Sequence, residues 1–422
     1  MIRIAGGRVL TPTGLVEADV WVKNDTVVAV GTSGATGTER VIDASGMLVG
    51  PGFVDIHTHL REPGQTWKES IASGARAAAA GGYTALVAMP NTDPPIDRPE
   101  VVEMVRRAGE EAGLVLVTVA GALTEGRSGE RPSDIAALYR SGVRLFTDDG
   151  DSVGSAEVLE EAMQVVAGLP GAVVAQHAED VLASAGGHMH QGRVSSELGV
   201  AGIPASAEYG IVERDLALAA VTGATYHAQH VSAARTVEMI RAAKRSGASG
   251  VTAEVTPHHL TFDESSLSTL DTDFKMYPPL RSAHDREALR DAVLDGTIDV
   301  VATDHAPHTA AEKDVPFLDA PRGVIGLETA ASAVWELVTD PRMFFEVMAI
   351  TPALISGLES HGKPVEVGSP ANLVIFDPDR VWAPEVFFSR SSNSPYRGRK
   401  LTGRVNLTIF EGVVTHHLDG SA

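Results

Sequence analysis

Eight apolar runs of β character dominate the middle of this chain: Phe53–His57, Thr84–Pro90, Leu114–Gly121, Val143–Asp148, Ala172–His177, Thr225–His230, Gly250–Pro257 and Ile298–Asp304. Between them lie stretches of helical period: Glu69–Ala80, Pro99–Ala112, Ser133–Ser141, Ala156–Ala167, Ala207–Thr222, Ala234–Ser246 and Asp285–Leu294. Strand-like and helix-like segments in strict alternation predict parallel βα units. Several runs are β-branched and apolar throughout, as expected of strands covered on both faces, and eight such units close most economically into a (β/α)8 barrel of the TIM type, an α/β fold. The length of 422 residues exceeds an average domain, but barrels of this kind commonly do so as one unit.

The two ends read differently. Within residues 1–50, Ile2–Ile4, Arg8–Leu10, Ala18–Val22 and Val27–Val30 are short β segments separated by turn residues; in 359–422, Asn372–Phe376 and Leu407–Phe410 look alike. Neither piece is large enough to stand alone, so both are expected to join as one small β-sandwich domain beside a barrel spanning 51–358. A net charge of −21 repels nucleic acid and anionic lipid. No cysteine is present, which excludes thiolate zinc sites and thiol nucleophiles and fits a reducing compartment. The first residues lack the apolar core of a signal peptide, and Gly81-Gly82 interrupts the Ala-rich stretch before it could span a bilayer. The expectation is a cytoplasmic enzyme with a small-molecule substrate and neither nucleic-acid nor membrane partners.

Any metal chemistry must then use His and carboxylate. In His57-Thr58-His59, residues i and i+2 of a strand project to one side, so both imidazoles can face one point. Asp148-Asp149, His177, His230 and Asp304 end the fourth, fifth, sixth and eighth runs, and in a barrel all these ends share one rim. His and Asp are the donors a zinc-like ion takes when thiolate is absent. Most of the 15 histidines are bland: His227 reads as structural, one of His258 and His259 as an orienting hydrogen-bonder, and His188, His190, His284, His361, His416 and His417 as surface residues. No lysine occurs between Lys68 and Lys244, so a carbamylated lysine cannot bridge two ions from strand four. Asp148 or Asp149 is the available bridge; the other is left to cap the Gly150 turn.

The motifs Phe53-Val-Asp-Ile-His-Thr-His-Leu-Arg-Glu-Pro-Gly64, Met89-Pro-Asn-Thr92, Phe146-Thr-Asp-Asp-Gly150, Thr252-Ala-Glu-Val-Thr-Pro-His-His-Leu260, Ala302-Thr-Asp-His-Ala-Pro-His308 and Ser369-Pro-Ala-Asn-Leu-Val-Ile-Phe376 resemble a dihydroorotase of the amidohydrolase superfamily, in the bacterial class I type that bridges its metals with Asp. The resemblance spans nearly the whole chain. It implies one zinc on His57, His59 and Asp304, a second on His177 and His230, and Asp149 as the bridge. It further implies substrate contacts from Arg61, Asn91, His308 and Pro321-Arg322-Gly323. One position departs: the family commonly has Asn where this chain has Tyr277, and a phenol lacks the amide's paired donor and acceptor.

The reaction implied is the reversible cyclisation of N-carbamoyl-L-aspartate to L-dihydroorotate plus water in pyrimidine synthesis, with Asp304 as general base and acid. Arg61 lies two residues beyond His59, so continued strand alternation would turn it to the same side, where its planar fork suits the substrate's free carboxylate. That charge separates a dihydroorotase from the rival readings of hydantoinase, dihydropyrimidinase or allantoinase. A non-catalytic homologue that scaffolds aspartate transcarbamoylase is a further rival, expected to lack metal ligands. The segment from His308 to Gly323 is long and mixed in charge, and is expected to close over substrate. The resemblance also implies a homodimer and leaves room for association with aspartate transcarbamoylase.

Overall fold

A computed structural model describes residues 1–32, 40–248 and 250–418 and shows a mixed α/β architecture. Eight parallel strands follow in order: Phe53–Thr58, Tyr83–Ala88, Leu116–Val119, Leu145–Phe146, Val173–Gln176, Tyr226–Ala228, Val251–Val255 and Val300–Val301. The first three pair in sequence, and the fourth to eighth do likewise. Parallel bridges Gly121↔Phe146 and Thr58↔His305 connect these two groups at both sides, so the pairings run in a closed cycle. Every residue of the first two strands is buried, as the apolar runs require. Apart from the first, the observed strands are shorter than the apolar runs, whose last residues, Asp148, His177, His230 and Asp304 among them, leave the ladder.

The helices between these strands carry their own start and stop signals. Pro99–Ala112 opens with Pro at its first position and ends at Gly113 in the left-handed conformation. Ser70 and Ser73 form a capping box that starts Ile71–Ala80 two residues later than the helical period suggested. Glu69 is thereby left outside the helix, where its carboxylate accepts from Ser73, Ser389 and the Arg390 N–H.

Both chain ends contribute to one sheet. Its order is Val413–His417, Leu401–Phe410, Leu373–Trp382, Leu48–Pro51, Ile2–Thr11, Gly14–Lys23 and Thr26–Gly31, with Arg40–Asp43 paired to Ile2–Thr11. The segments Ile2–Ile4 and Arg8–Leu10 are a single strand with a register shift between Ile4 and Gly7. Gly6 takes φ +72° in that irregularity, and a Cβ there would meet Ser45 Oγ at 2.9 Å. Arg40–Asp43, Leu48–Pro51 and Val413–His417 were not foreseen, being too short to show a period. Neither were the helices Ala330–Trp335, Pro341–Phe345 and Thr351–Ile355 beyond the eighth strand.

An aromatic cluster joins the sheet to the strand cycle. Phe53 of the first parallel strand meets Phe344 edge-on at 5.4 Å, and Phe344 meets Phe376 of the sheet at 5.0 Å. Trp335 closes on both at 5.3 and 5.5 Å. Burying each such ring is worth roughly 1.5–3 kcal/mol, so this contact is a firm one.

Candidate metal centre

Six expected residues converge where the parallel strands end. The Asp149 carboxylate is their centre: Oδ2 lies 3.3 Å from both His57 Nε2 and His59 Nε2, while Oδ1 lies 3.4 Å from His230 Nε2 and 3.6 Å from His177 Nδ1. Asp304 Oδ1 lies 3.0 Å from His59 Nε2 and 3.6 Å from His57 Nε2. The facing nitrogens of His177 and His230 are 2.8 Å apart. Two overlapping sets, His57–Asp149–His230 and His57–His59–Asp304, have donor atoms close enough to share an ion.

The hydrogen-bond partners settle which imidazole nitrogen faces inward. His57 Nδ1–H donates to Glu254 Oε1 at 2.5 Å, and His59 Nδ1–H donates to Asn91 Oδ1 at 2.9 Å. A carboxylate and an amide oxygen only accept, so each ring keeps its Nε2 lone pair for the cluster. His57 Nε2 and Asp149 Oδ1 are buried with no hydrogen-bond partner among the described residues. Buried orphans of this kind, on rings whose tautomer is fixed, fit a divalent cation. Burial alone would raise the Asp304 and Asp149 carboxyls, but the histidines facing them hold both below the usual carboxylate range. The cluster therefore attracts positive charge.

Some supporting residues were not foreseen. Glu254 uses Oε2 on His227 Nε2 at 3.1 Å and accepts the His230 N–H on Oε1 at 3.2 Å, so one carboxylate serves His57, His227 and His230. The signal was a lone charged residue inside an otherwise uncharged strand run. Asp55 accepts from the His57 N–H and from the Thr303 hydroxyl, pinning the first strand to the eighth; burial pushes it up to about 7.

Several expectations need correcting. Asp148 does not cap the Gly150 turn: its carboxylate accepts from the Thr124 N–H and hydroxyl. Arg61 does not continue the strand, which ends at Thr58, and takes φ +61°. It still lines the cavity, donating from Nε to Pro307 O at 3.3 Å, and burial lowers it only to about 10, so it stays charged. His258 and His259 lie in a short helix, Pro257–Thr261, directly after the seventh strand, and His259 is the expected hydrogen-bonder, donating to Pro278 O at 3.0 Å. His190 and His361 are buried, not surface residues.

A cavity of about 270 Å³ opens over the cluster. Two larger ones, about 630 and 610 Å³, lie elsewhere and hold no comparable donor set. Arg61, His308, Arg322 and Gly323 line the small cavity. His308 Nε2–H donates to Arg322 O at 2.9 Å and its Nδ1 faces the Lys68 ammonium at 3.3 Å; burial and the neighbouring Arg61 and Lys68 charges push it down to about 2, so it is neutral. Gly323 takes φ +132°, and a Cβ would meet Ala306 Cβ at 2.8 Å, so only glycine fits this approach. The segment from His308 to Gly323 carries the short helix Ala310–Lys313 and is fastened by Lys313, whose ammonium donates to the carbonyls of Thr272, Lys275 and Pro321. Tyr277, also in the lining, packs tilted against His177 at 4.9 Å with the Arg322 guanidinium 4.1 Å from its ring centre. Its phenol faces Glu179 and Ser184, and burial together with the Glu179 charge raises its pKa. Tyr277 thus presents an aromatic face to the cavity.

A family model described as Dihydro-orotase-like matches residues 46–236. Dihydroorotases of Mycobacterium leprae and Streptomyces coelicolor are 44% and 43% identical to this chain, covering 94% and 98% of it and 95% and 97% of their own lengths. Among solved structures, L-hydantoinase (dihydropyrimidinase) from Arthrobacter aurescens superposes with a TM-score of 0.86 at 26% identity, covering 99% of this chain and 96% of that one. Dihydropyrimidinase from Brevibacillus agri, at 24% identity and a TM-score of 0.81 over 98% and 94% of the two chains, shares the fold.

Proposed function

The chain belongs to the dihydroorotase family, and from that premise we propose that its His and Asp cluster is the metal centre of a cyclic amidohydrolase interconverting N-carbamoyl-L-aspartate and L-dihydroorotate plus water. The observation that carries this reading is the forked contact of Asp149, one oxygen toward His57 and His59 and the other toward His177 and His230. His57, His59 and Asp304 would hold one zinc, His177 and His230 a second, and Asp149 would be shared. When bound, such ions supply Lewis acidity that lowers the pKa of water toward about 7 and polarises a carbonyl.

The chain's own groups do the rest. Asp304, buried and ionised, takes the proton of the attacking water in the hydrolytic direction and returns it to the ring nitrogen as the C–N bond breaks. Arg61 meets the substrate's free carboxylate, with His308, Arg322 and the Gly323 backbone beside it. Asn91, whose oxygen is engaged by His59, has its amide hydrogens left for the same substrate. The Tyr277 ring lines the cavity beside Arg322 and excludes water.

The closed cycle of parallel strands is read as a (β/α)8 barrel over 51–358, and the sheet from both ends as a small β-sandwich domain of 1–50 and 359–422. Among the described residues no helix is long and apolar enough to cross a membrane. A cytoplasmic homodimer is the assembly in keeping with the family.

The test is metal analysis of the purified protein alongside carbamoylaspartate cyclisation, repeated after chelation and zinc restoration. Zinc-dependent cyclisation is the expected result. The high fold likeness to a hydantoinase favours a second reading, a cyclic amidohydrolase for uncharged rings. Turnover of hydantoin in preference to dihydroorotate would establish that one instead.

A further inference from the structure

One side chain from near the end of the chain reaches the cavity wall. Asn393 is 3% exposed and lies between the two backbone segments that carry Ala306 and His308 on one side and Gly323 on the other. Its Nδ2 donates to Ala306 O at 3.2 Å and to Gly323 O at 3.0 Å, and its Oδ1 accepts the His308 N–H at 3.1 Å. Its backbone carbonyl accepts the Ile325 N–H at 2.9 Å. Ala306, His308 and Gly323 all line the cavity. Three buried backbone groups thus find partners in one amide, and only an amide offers two donors and an acceptor from a single neutral side chain.

The strap that carries Asn393 is itself fastened. Ser389 and the Arg390 N–H donate to Glu69, and Ser391 Oγ donates to Lys68 O at 2.7 Å. Lys68 in turn places its ammonium 3.3 Å from His308 Nδ1. The strap is therefore tied to the cationic part of the cavity lining at several points and hydrogen-bonds none of the six cluster residues, of which His57 is held by Glu254 and Asp55, His230 by Glu254 and His59 by Asn91.

Resting on the dihydroorotase reading, we infer that Asn393 is a positioning residue for substrate binding. It sets the spacing between the His308 turn and the Arg322-Gly323 turn, and so the width of the slot that receives the substrate's carboxylate. The reacting groups do not depend on it.

The decisive variant is Asn393→Asp, which keeps the acceptor for the His308 N–H but turns an oxygen toward two carbonyls. The KM for dihydroorotate is expected to rise about tenfold, with kcat within about threefold of the parent and metal content unchanged. An unchanged KM, or a fall in kcat that follows loss of metal or of fold, overturns the assignment. Hydrogen exchange in Asn393→Ala, compared with the parent, reads the same claim without turnover: the backbone around 306–308 and 321–325 should exchange faster while the first parallel strand does not. Equal acceleration everywhere would indicate a merely structural role. Absence of dihydroorotate turnover in the parent would defeat the functional reading alone, since the exchange experiment still decides whether Asn393 fastens these two turns.

Discussion

Glu254 binds His57 through one carboxylate oxygen, at 2.5 Å from Nδ1, and His227 through the other, at 3.1 Å from Nε2. A strand residue that would ordinarily be apolar is thus what turns a cluster histidine to face the cavity.

Replacing Glu254 with Ala should cost metal affinity before it costs fold. Loss of an outer carboxylate on a ligating histidine typically weakens binding about 10- to 100-fold. Metal stoichiometry after dialysis against a weak chelator, with activity restored by excess zinc, checks this. Full retention of metal in the variant would contradict the role given to Glu254.

Arg61→Met tests substrate charge recognition. A charge-assisted contact is worth about 1.5–3 kcal/mol, so kcat/KM for dihydroorotate should fall roughly 10- to 150-fold at unchanged metal content. Steady-state kinetics with dihydroorotate and hydantoin in parallel give the answer: only the acid should suffer.

Asp304→Asn keeps the shape of the side chain and removes its ability to hold a proton. General-base assistance contributes about 10²–10⁴-fold, and kcat should drop within that range. Near-normal kcat in a metal-loaded Asp304→Asn protein would remove Asp304 from the chemistry.

His361 provides a pH prediction away from the centre. It is buried, bonded to Thr84 Oγ1 at 3.0 Å, and burial lowers it to about 4. The unfolded chain takes up this proton below about pH 6.5, while the folded one does so only near 4. The stability that neutral His361 confers is therefore complete above about 6.5 and is lost as pH falls toward 4, by on the order of 3 kcal/mol. Between pH 7 and 4.5, the Tm of His361→Gln should fall less than that of the parent. Parallel Tm curves would show that His361 carries no such linkage.

How much was legible in the sequence depended on where a residue sits along its strand. His57, His59, Asp149, His177, His230 and Asp304 stand at or just beyond the ends of apolar runs, where a polar residue announces itself, and the structure brings these six together. Glu254 lies inside a run and Asp55 amid buried apolar residues, positions that pattern reading assigns to the core. Asn393 lies about seventy residues beyond Gly323, and only tertiary contact connects them. Arg61 reached the cavity by a left-handed backbone turn after the strand had stopped, so the alternation argument arrived at the right cavity for the wrong reason. Tyr277 shows the limit of side-chain inventories: its hydroxyl had a donor to offer, but Glu179 and Ser184 are what it faces.

Leu48–Pro51 lies between Ile2–Thr11 and Leu373–Trp382 in the sheet. During synthesis on the ribosome, residues near 50 emerge long before those near 373. The nascent chain must therefore carry that strand with one edge open while some three hundred residues are added. An edge left open this long is exposed to wrong pairing until the final strands arrive to cover it.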